Sequence, residues 1–272
     1  MFYRIDYSVQ SQDQLQQKLN SMYGYENDLS LQVMHRKRLN LVFRLLQDLT
    51  QKNRLDLSGT ALDIGCNSGL YSKILSDFGF RKVFGIDISE TGIATAKATF
   101  SEEIREGKIV FEKRGIESVA GTERFQLILC TEVIEHTDDP MATIRNVHET
   151  MSPGSIAVIS LPNCISVGYS LEYFKRKLLG KPISRDLSEH LRYPFWKTLR
   201  LFKSDQQFRR IKSTGTNLFL FKIILNLLRK TKGFARFVNH TDSFLSTLFP
   251  FKYFTQFFFV IIEKRNDQGS LS

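Results

Sequence analysis

The stretch ALDIGCNSGLYSKIL, residues 61–75, decides the fold. It starts as a short apolar run that ends at Asp63, and two glycines, Gly65 and Gly69, follow it closely. After Gly69, apolar residues recur at helical spacing. A buried strand that turns at glycines into a helix is the first unit of an alternating α/β fold, and the rest of the chain repeats this alternation.

Seven apolar segments are predicted to be strands, most of them separated by helical patterns: residues 60–64, 82–88, 108–113, 125–130, 155–161, 208–214 and 257–265. Continuously apolar strands are typical of a parallel sheet that is covered on both faces. The predicted fold class is therefore α/β, a Rossmann-like, seven-stranded, mostly parallel sheet with helices on both faces and helical insertions in the C-terminal half.

Local signals place several helix ends. Apolar spacing predicts a leading helix over 31–49, and Gly79 is a suitable stop for the helix after Gly69. Ser89 can cap the helix that follows the second strand, and Asp139 with Pro140 can start the helix before the fifth, which SPG at 152–154 should end.

We predict one domain with elaborations. Its parts are an N-terminal helical region at 1–58, a ligand-binding core at 59–163, a C-terminal half at 164–264 with inserts at 169–191 and 217–256, and a tail at 265–272. Forty residues between two strands are too many for a structureless connection, and the apolar pattern of 217–232 predicts a helix there.

Positive charge is concentrated in one stretch. The chain carries a net charge of +10, and residues 170–236 contain 17 Lys and Arg against 4 Asp and Glu, whereas the remainder holds 21 against 24. Fourteen of the 23 phenylalanines follow residue 190. A solvated basic surface over an aromatic core explains this pattern, and so does a surface that meets the phosphates of a lipid or a nucleic acid.

Composition also bears on location. The first residues lack the apolar region of a secretory signal, and the longest near-apolar run, 218–228, is too short to span a bilayer. Three cysteines with no paired metal spacing argue against a disulfide framework and a metal site. We expect a cytoplasmic protein that is soluble or peripheral on the inner face of the membrane.

The glycine turn lies where a parallel sheet binds ligands, at the carboxyl ends of its strands. About twenty residues later Asp87 ends the second strand, where a carboxylate can accept both hydroxyls of a ribose. Only Gly65 and Gly69 of the dinucleotide glycine pattern are present, and Asp63 would face a cationic group rather than a pyrophosphate. An adenosine ligand that carries a sulfonium amino acid suits this pattern better than a nicotinamide dinucleotide.

The sequence resembles the class I S-adenosylmethionine-dependent methyltransferases, and among them the ubiquinone-type O-methyltransferases. The resemblance covers about 38–163 closely and is carried by LDIGCNSG, FGIDIS, FQLILCTEVIEHTDDP and SPGSIAVISLPN. Asn67 replaces the middle glycine of the first motif, which is tolerable because Asn also reaches left-handed backbone angles. Gly115 stands where relatives often carry an acidic residue for the adenine amine.

The resemblance implies S-adenosyl-L-methionine as the cofactor. Its candidate binding residues are Arg38, Asp63, Gly65, Cys66, Asn67, Gly69, Asp87, Ile88, Ile116 and Thr131. The methionine part would lie near Asp63 and the two glycines, the ribose and adenine near Asp87 and Ile88, and the sulfonium above Thr131.

A hydroxyl acceptor needs a base, and two histidines are candidates for it. His136 follows the fourth strand and His190 precedes the sixth, so both are expected on the active-site face. The alternative for each is a hydrogen-bonded residue that shapes a loop. Candidate acceptor contacts are Glu132, Glu135, Tyr169 and Tyr193.

These patterns favour a methyltransferase that acts on an oxygen of a lipid, a quinone or a lipid-linked saccharide. Its expected partners are this small-molecule or lipid-linked acceptor and an anionic membrane surface. A nucleic-acid methyltransferase is the alternative that the basic stretch allows, although CTEV replaces the tetrad used on base amines and no Pro-Cys nucleophile is present. A non-catalytic cofactor-binding module is the other alternative.

Overall fold

A seven-stranded sheet organises the chain in a computed structural model, which describes residues 29–183, 193–202, 208–218 and 241–265. The strands are β1 (Thr60–Ile64), β2 (Lys82–Asp87), β3 (Ile109–Lys113), β4 (Phe125–Thr131), β5 (Met151–Pro162), β6 (Phe208–Thr216) and β7 (Phe257–Lys264). Their order is β3-β2-β1-β4-β5-β7-β6. The first five are parallel, and β7 runs antiparallel to β5 and β6. The predicted fold class is confirmed.

Helices cover both faces of this sheet. They are α1 (Leu29–Gln51), α2 (Leu70–Phe78), α3 (Glu90–Thr99), α4 (Ser101–Arg105), α5 (Pro140–Thr150), α6 (Val167–Leu178) and α7 (Phe195–Leu201). Short 3-10 turns occur at Ile116–Ser118, Ile134–His136 and Phe251–Phe254. Two clusters of buried side chains, one on each side of the sheet, form the core.

Helix ends follow the local signals. Gly79 ends α2 with a φ of 111°, a left-handed conformation that glycine adopts without strain. The Ser89 hydroxyl accepts the Gly92 N–H at the start of α3. The Asp139 carboxylate accepts two N–H groups in the first turn of α5, whose first residue is Pro140.

One element differs from the sequence expectation. Strand β5 starts at Met151 rather than at Ser155, because a register shift against β4 and a positive φ of 73° at Gly154 let the strand continue through SPG. Helix α6 begins the first insert. The predicted helix over 217–232 lies almost wholly outside the described residues.

A buried ion pair joins the N-terminal helix to the C-terminal insert. The Lys37 ammonium of α1 bonds to the Asp242 carboxylate, and both side chains are almost fully buried. Burial lowers the pKa of Lys37. Because a buried charge is costly without its partner, this pair fixes α1 and its next residue, Arg38, against the insert.

Within the described ranges, no helix has both the length and the hydropathy that are needed to cross a bilayer.

Candidate active site

A cleft of about 370 Å³ opens at the carboxyl ends of β1, β2 and β4. Seven of the predicted site residues line it: Gly65, Asn67, Asp87, Ile88, Ile116, Glu132 and His136. The sheet therefore brings the end of β2 and the loop after β4 to one site, as expected for ligand sites in open α/β sheets.

The turn after β1 has left-handed backbone at three positions. The φ angles are 69° at Gly65, 44° at Asn67 and 84° at Gly69. A Cβ at Gly65 would lie 2.4 Å from Val133 Cγ2, and one at Gly69 would lie 2.5 Å from Phe111 Cζ. Both glycines are thus required by conformation and by packing, and Asn67 adopts the angle expected for it.

Asp87 ties this turn to the end of β2. Its Oδ2 accepts the Asn67 N–H at 2.8 Å, and its Oδ1 accepts the Ser89 N–H at 2.7 Å. A carboxylate has about four acceptor positions, so each oxygen can take a further hydrogen bond from a ligand hydroxyl. The neighbouring Ile88 is 76% exposed and offers an apolar surface to a flat ring.

Asp63 lies buried at the end of β1, next to the cleft wall formed by Ile64 and Gly65. Its Oδ2 accepts the Ser72 hydroxyl at 2.7 Å, whereas Oδ1 accepts no hydrogen bond from the residues that the structure describes. Burial raises the pKa of Asp63 to about 7. A buried carboxylate oxygen without a donor is costly, and a ligand ammonium is the kind of group that would satisfy it.

Glu132 follows β4 in a conformation that is rare for a residue with a side chain, with a φ of 56°. Its Oε1 accepts the Ser160 hydroxyl at 2.8 Å, and its Oε2 lies 3.9 Å from Arg38 Nη1. Burial raises the pKa of Glu132, while the Arg38 guanidinium opposes this rise. Such strain is often found at functional sites, where the surrounding structure holds it in place.

His136 and Glu135 occupy the short turn after Glu132. The His136 side chain is 43% exposed in the cleft, and its Nε2 lies 4.0 Å from Oε1 of the buried Glu135. The imidazole and a buried carboxylate are therefore neighbours at the cleft. His190 lies outside the described residues, and its predicted role stays a prediction.

The remaining predicted residues lie off the cleft lining. Arg38 lies over the Phe257 ring, 4.4 Å from its centroid. Thr131 is buried at the end of β4. Tyr169 of α6 is buried, hydrogen-bonded to Gln256, and its pKa is raised by burial and by Glu132. Their assignments stay predictions.

Three further assignments fall on buried or turn positions. The Cys66 thiol is buried, and burial raises its pKa. Gly69 serves the turn, as described above. Tyr193 is buried, with the Lys197 ammonium 4.8 Å from its ring centroid and its carbonyl accepting the Cys164 N–H.

One residue on the cleft wall was missed by sequence reasoning. Glu117 lines the cleft, and its Oε1 would lie 2.1 Å from a Cβ at Gly115. A carboxylate therefore lies beside the position where relatives often carry an acidic residue. An acidic residue shortly after the expected position was the available signal.

Among the residues described, no group of three or more His, Cys, Asp or Glu side chains is arranged to hold a metal ion.

A model of the methyltransferase domain matches residues 34–211, more than half of the chain. Ubiquinone biosynthesis O-methyltransferase of Nitrosospira multiformis is 30% identical over 104 residues, 38% of this chain and 42% of the relative. The Rickettsia canadensis enzyme of the same name is 34% identical over 110 residues, 40% of this chain and 45% of the relative. The chain thus spans less than half the length of these relatives.

Solved structures share the fold at low identity. Magnesium protoporphyrin IX methyltransferase from Synechocystis superposes with a TM-score of 0.60 at 16% identity, covering 91% of this chain and 93% of that one. The cyclase SpnF superposes with a TM-score of 0.56 at 17% identity, covering 94% of each chain. Since the same fold occurs in proteins with different names, it does not by itself fix the reaction. The matched domain and the cleft geometry together show that the chain belongs to the class I S-adenosylmethionine-dependent methyltransferases.

Proposed function

We propose that this protein transfers the methyl group of S-adenosylmethionine to an oxygen of a lipid, a quinone or a lipid-linked saccharide. The observation that carries the proposal is one cleft lined by two sets of residues. We assign Asp87 and the glycine turn to a cofactor end, and Glu132 and His136 to an acceptor end. The names of the curated relatives favour a quinone-type acceptor.

The cofactor end of the cleft has groups suited to each part of the proposed ligand. Asp63 would serve the ammonium, Asp87 the two ribose hydroxyls, and Ile88 and Ile116 the faces of the adenine. When bound, S-adenosylmethionine supplies a methyl group that is already activated by a positively charged sulfur. The chain therefore has to supply position and orientation more than electrophilic activation.

A residue at the acceptor end of the cleft would remove the proton of the acceptor hydroxyl. We assign this role to His136, because its imidazole faces the cleft and lies beside the Glu135 carboxylate. Glu132, held by Ser160 and faced by Arg38, would accept a hydrogen bond from a second polar group of the acceptor.

The proposed location is the cytoplasm, at the inner face of the membrane. The support is the basic stretch at 170–236, which carries 17 basic residues against 4 acidic ones, together with the apolar nature of a quinone or lipid acceptor. The same charge is the observation that favours nucleic acid as a second class of acceptor.

Calorimetric titration is the first test of this function. S-adenosylmethionine and its demethylated product should bind at micromolar affinity, on the order of 10⁻⁶ M, and more tightly than NAD. Tighter binding of NAD would overturn the cofactor assignment.

Methyl transfer is the second test. With methyl-labelled S-adenosylmethionine, label should pass to a polyprenylated catechol or to a bacterial lipid extract rather than to RNA. Transfer to RNA alone would replace the lipid or quinone acceptor with nucleic acid. Cofactor binding without transfer to any acceptor would favour the non-catalytic module.

A further inference from the structure

Helix α6 exposes an apolar stripe. Leu171, Phe174 and Leu178 are 44%, 60% and 87% exposed, and their spacing puts them on one face over two turns of the helix. Tyr169, on the opposite side, is buried against the domain. Helix α6 is therefore apolar on two sides, and only one of them packs on the part of the chain that the structure describes. Large apolar side chains in adjacent turns that face solvent mark an interaction surface.

Basic side chains flank this stripe. Lys175 and Lys177 are exposed on either side of it, and Lys181 is exposed just beyond the helix. Arg176 is turned toward Glu172, which it contacts at 2.8 Å. Apolar side chains bordered by ammonium groups match the composition of an anionic bilayer surface, where acyl chains lie beneath acidic headgroups.

A second group of aromatic residues is exposed in the C-terminal part of the chain: Trp196, Phe244, Phe249, Phe251 and Phe254. Phe195, beside Trp196, stacks on Tyr253 with 4.2 Å between ring centroids. Tyr169 bonds to Gln256, which follows that segment closely. Aromatic rings are suited to the headgroup level of a membrane.

We propose that the α6 face, defined as Leu171, Phe174, Leu178 and Leu179 with Lys175, Lys177 and Lys181, docks on an anionic lipid bilayer. Charge complementarity selects this partner. A second copy of the chain would bring the same lysines against one another, whereas acidic headgroups attract them. Leu178 and Leu179 reach into the interface, and the lysines remain at its surface.

Docking through α6 would bring the bilayer close to the acceptor end of the cleft. The buried side of the helix carries Tyr169, which interacts electrostatically with Glu132 and Arg38 at the acceptor end of the cleft. A bilayer on the exposed side of α6 would therefore lie close to that end. This consequence rests on the proposed function, but the docking itself does not and is measured without turnover.

Vesicle flotation of the full chain tests the docking. The wild type should float with vesicles of phosphatidylcholine and phosphatidylglycerol at low salt, and should stay at the bottom with phosphatidylcholine alone or at high salt. The double variant Phe174→Ser/Leu178→Ser should bind the anionic vesicles at least about tenfold more weakly. The double variant Lys175→Gln/Lys177→Gln should bind the anionic vesicles about twentyfold more weakly.

The matched control removes the same charge elsewhere. Lys97→Gln/Lys108→Gln alters two exposed lysines near the β3 edge of the sheet and should float like the wild type within about twofold. Cofactor binding and circular dichroism verify that every variant is folded.

Three results would overturn the docking. They are failure of the wild type to float on anionic vesicles, equal flotation of Phe174→Ser/Leu178→Ser, and a wild-type dimer that this variant dissociates. Flotation without methyl transfer would instead count against the proposed function.

Discussion

The two ends of the cleft are built in different ways. At the cofactor end, Asp87 bonds to the backbone of Asn67 and Ser89, and all three come from one β-α-β unit. At the acceptor end, Glu132 is held by Ser160 of β5 and faced by Arg38 of α1. One end is thus assembled from neighbours in sequence, and the other from distant segments.

This difference predicts how each end responds to substitution. The turn at the cofactor end is also set by its left-handed backbone, so we expect the loss of one side chain there to appear in cofactor affinity. The acceptor end depends on side chains from several elements. A change there should affect turnover and leave the cofactor affinity unchanged.

The largest effect is expected at His136. His136→Gln should lower kcat by about a hundredfold while the Kd for S-adenosylmethionine stays the same, because the acceptor hydroxyl loses its proton acceptor. Steady-state kinetics and calorimetry measure the two quantities. The control is His148→Gln, since His148 packs against Phe208 at the other edge of the sheet.

Glu132→Gln tests whether the neighbouring carboxylate, rather than His136, removes the proton. Glutamine keeps an acceptor for Ser160 but loses the charge that faces Arg38. If His136→Gln retains a near-full rate and Glu132→Gln loses it, Glu132 removes the proton. If both variants and His190→Gln retain a near-full rate, positioning alone accounts for the acceleration.

A smaller effect is expected at the other end. Asp87→Ala should weaken S-adenosylmethionine binding at least about tenfold, because two ribose hydroxyls lose a charged acceptor. Asp77→Ala, a carboxylate paired with Lys73 on the surface of α2, is the control. Unchanged affinity in Asp87→Ala would contradict the cofactor end as assigned, and a loss in kcat alone would erase the contrast between the two ends.

The same contrast explains what could be predicted from the sequence. The structure confirms most strand positions, the glycine turn, the end of α2 at Gly79 and the caps at Ser89 and Asp139; the start of β5 is the exception. The confirmed features depend on a few adjacent residues. These features follow from local backbone preferences.

Other features depend on distant contacts. The pairing of Lys37 with Asp242 joins residues 205 positions apart, and no local pattern indicates it. The apolar stripe of α6 faces solvent, although apolar residues at helical spacing usually predict a buried face. The left-handed φ at Glu132 has no signal of the kind that glycine or asparagine provides.

Lowering the pH should weaken cofactor binding through Asp63. Burial raises the pKa of Asp63 to about 7, so the carboxyl becomes neutral below that pH and attracts an ammonium less. Affinity for S-adenosylmethionine should fall about fivefold between about pH 8 and about pH 6. Calorimetry across this range measures it. Asp63→Asn should give a weaker but pH-independent Kd, and a flat profile in the wild type would contradict the assignment.

The same carboxyl affects stability with the opposite sign. Its pKa is raised above the unfolded value, so the folded state holds the proton more tightly. Between about pH 4 and about pH 7 the free protein should lose stability as the pH rises, and bound cofactor should offset this loss. Thermal unfolding with and without S-adenosylhomocysteine checks the sign.

The smallest effect is expected at Glu117, the residue of the cofactor end that local patterns missed. Its carboxylate is exposed and lies where a side chain at Gly115 would begin. If it accepts the adenine amine, Glu117→Ala should weaken S-adenosylhomocysteine binding about threefold, since an exposed hydrogen bond contributes little. Glu102→Ala, an exposed carboxylate on α4, should change nothing.

Two further measurements separate recognition of the amine from a general charge effect. The inosine analogue of S-adenosylhomocysteine has no amine to donate, so wild type and Glu117→Ala should bind it equally. Gly115→Asp in the Glu117→Ala background puts an acidic side chain into the space that Glu117 leaves. The backbone φ at Gly115 is −87°, an angle that any residue can adopt. The substitution should therefore restore the preference for adenosine. If all three proteins prefer the adenosine form to the inosine form to the same degree, the adenine is held by backbone groups alone. The cofactor end would then depend even less on side chains than the structure suggests.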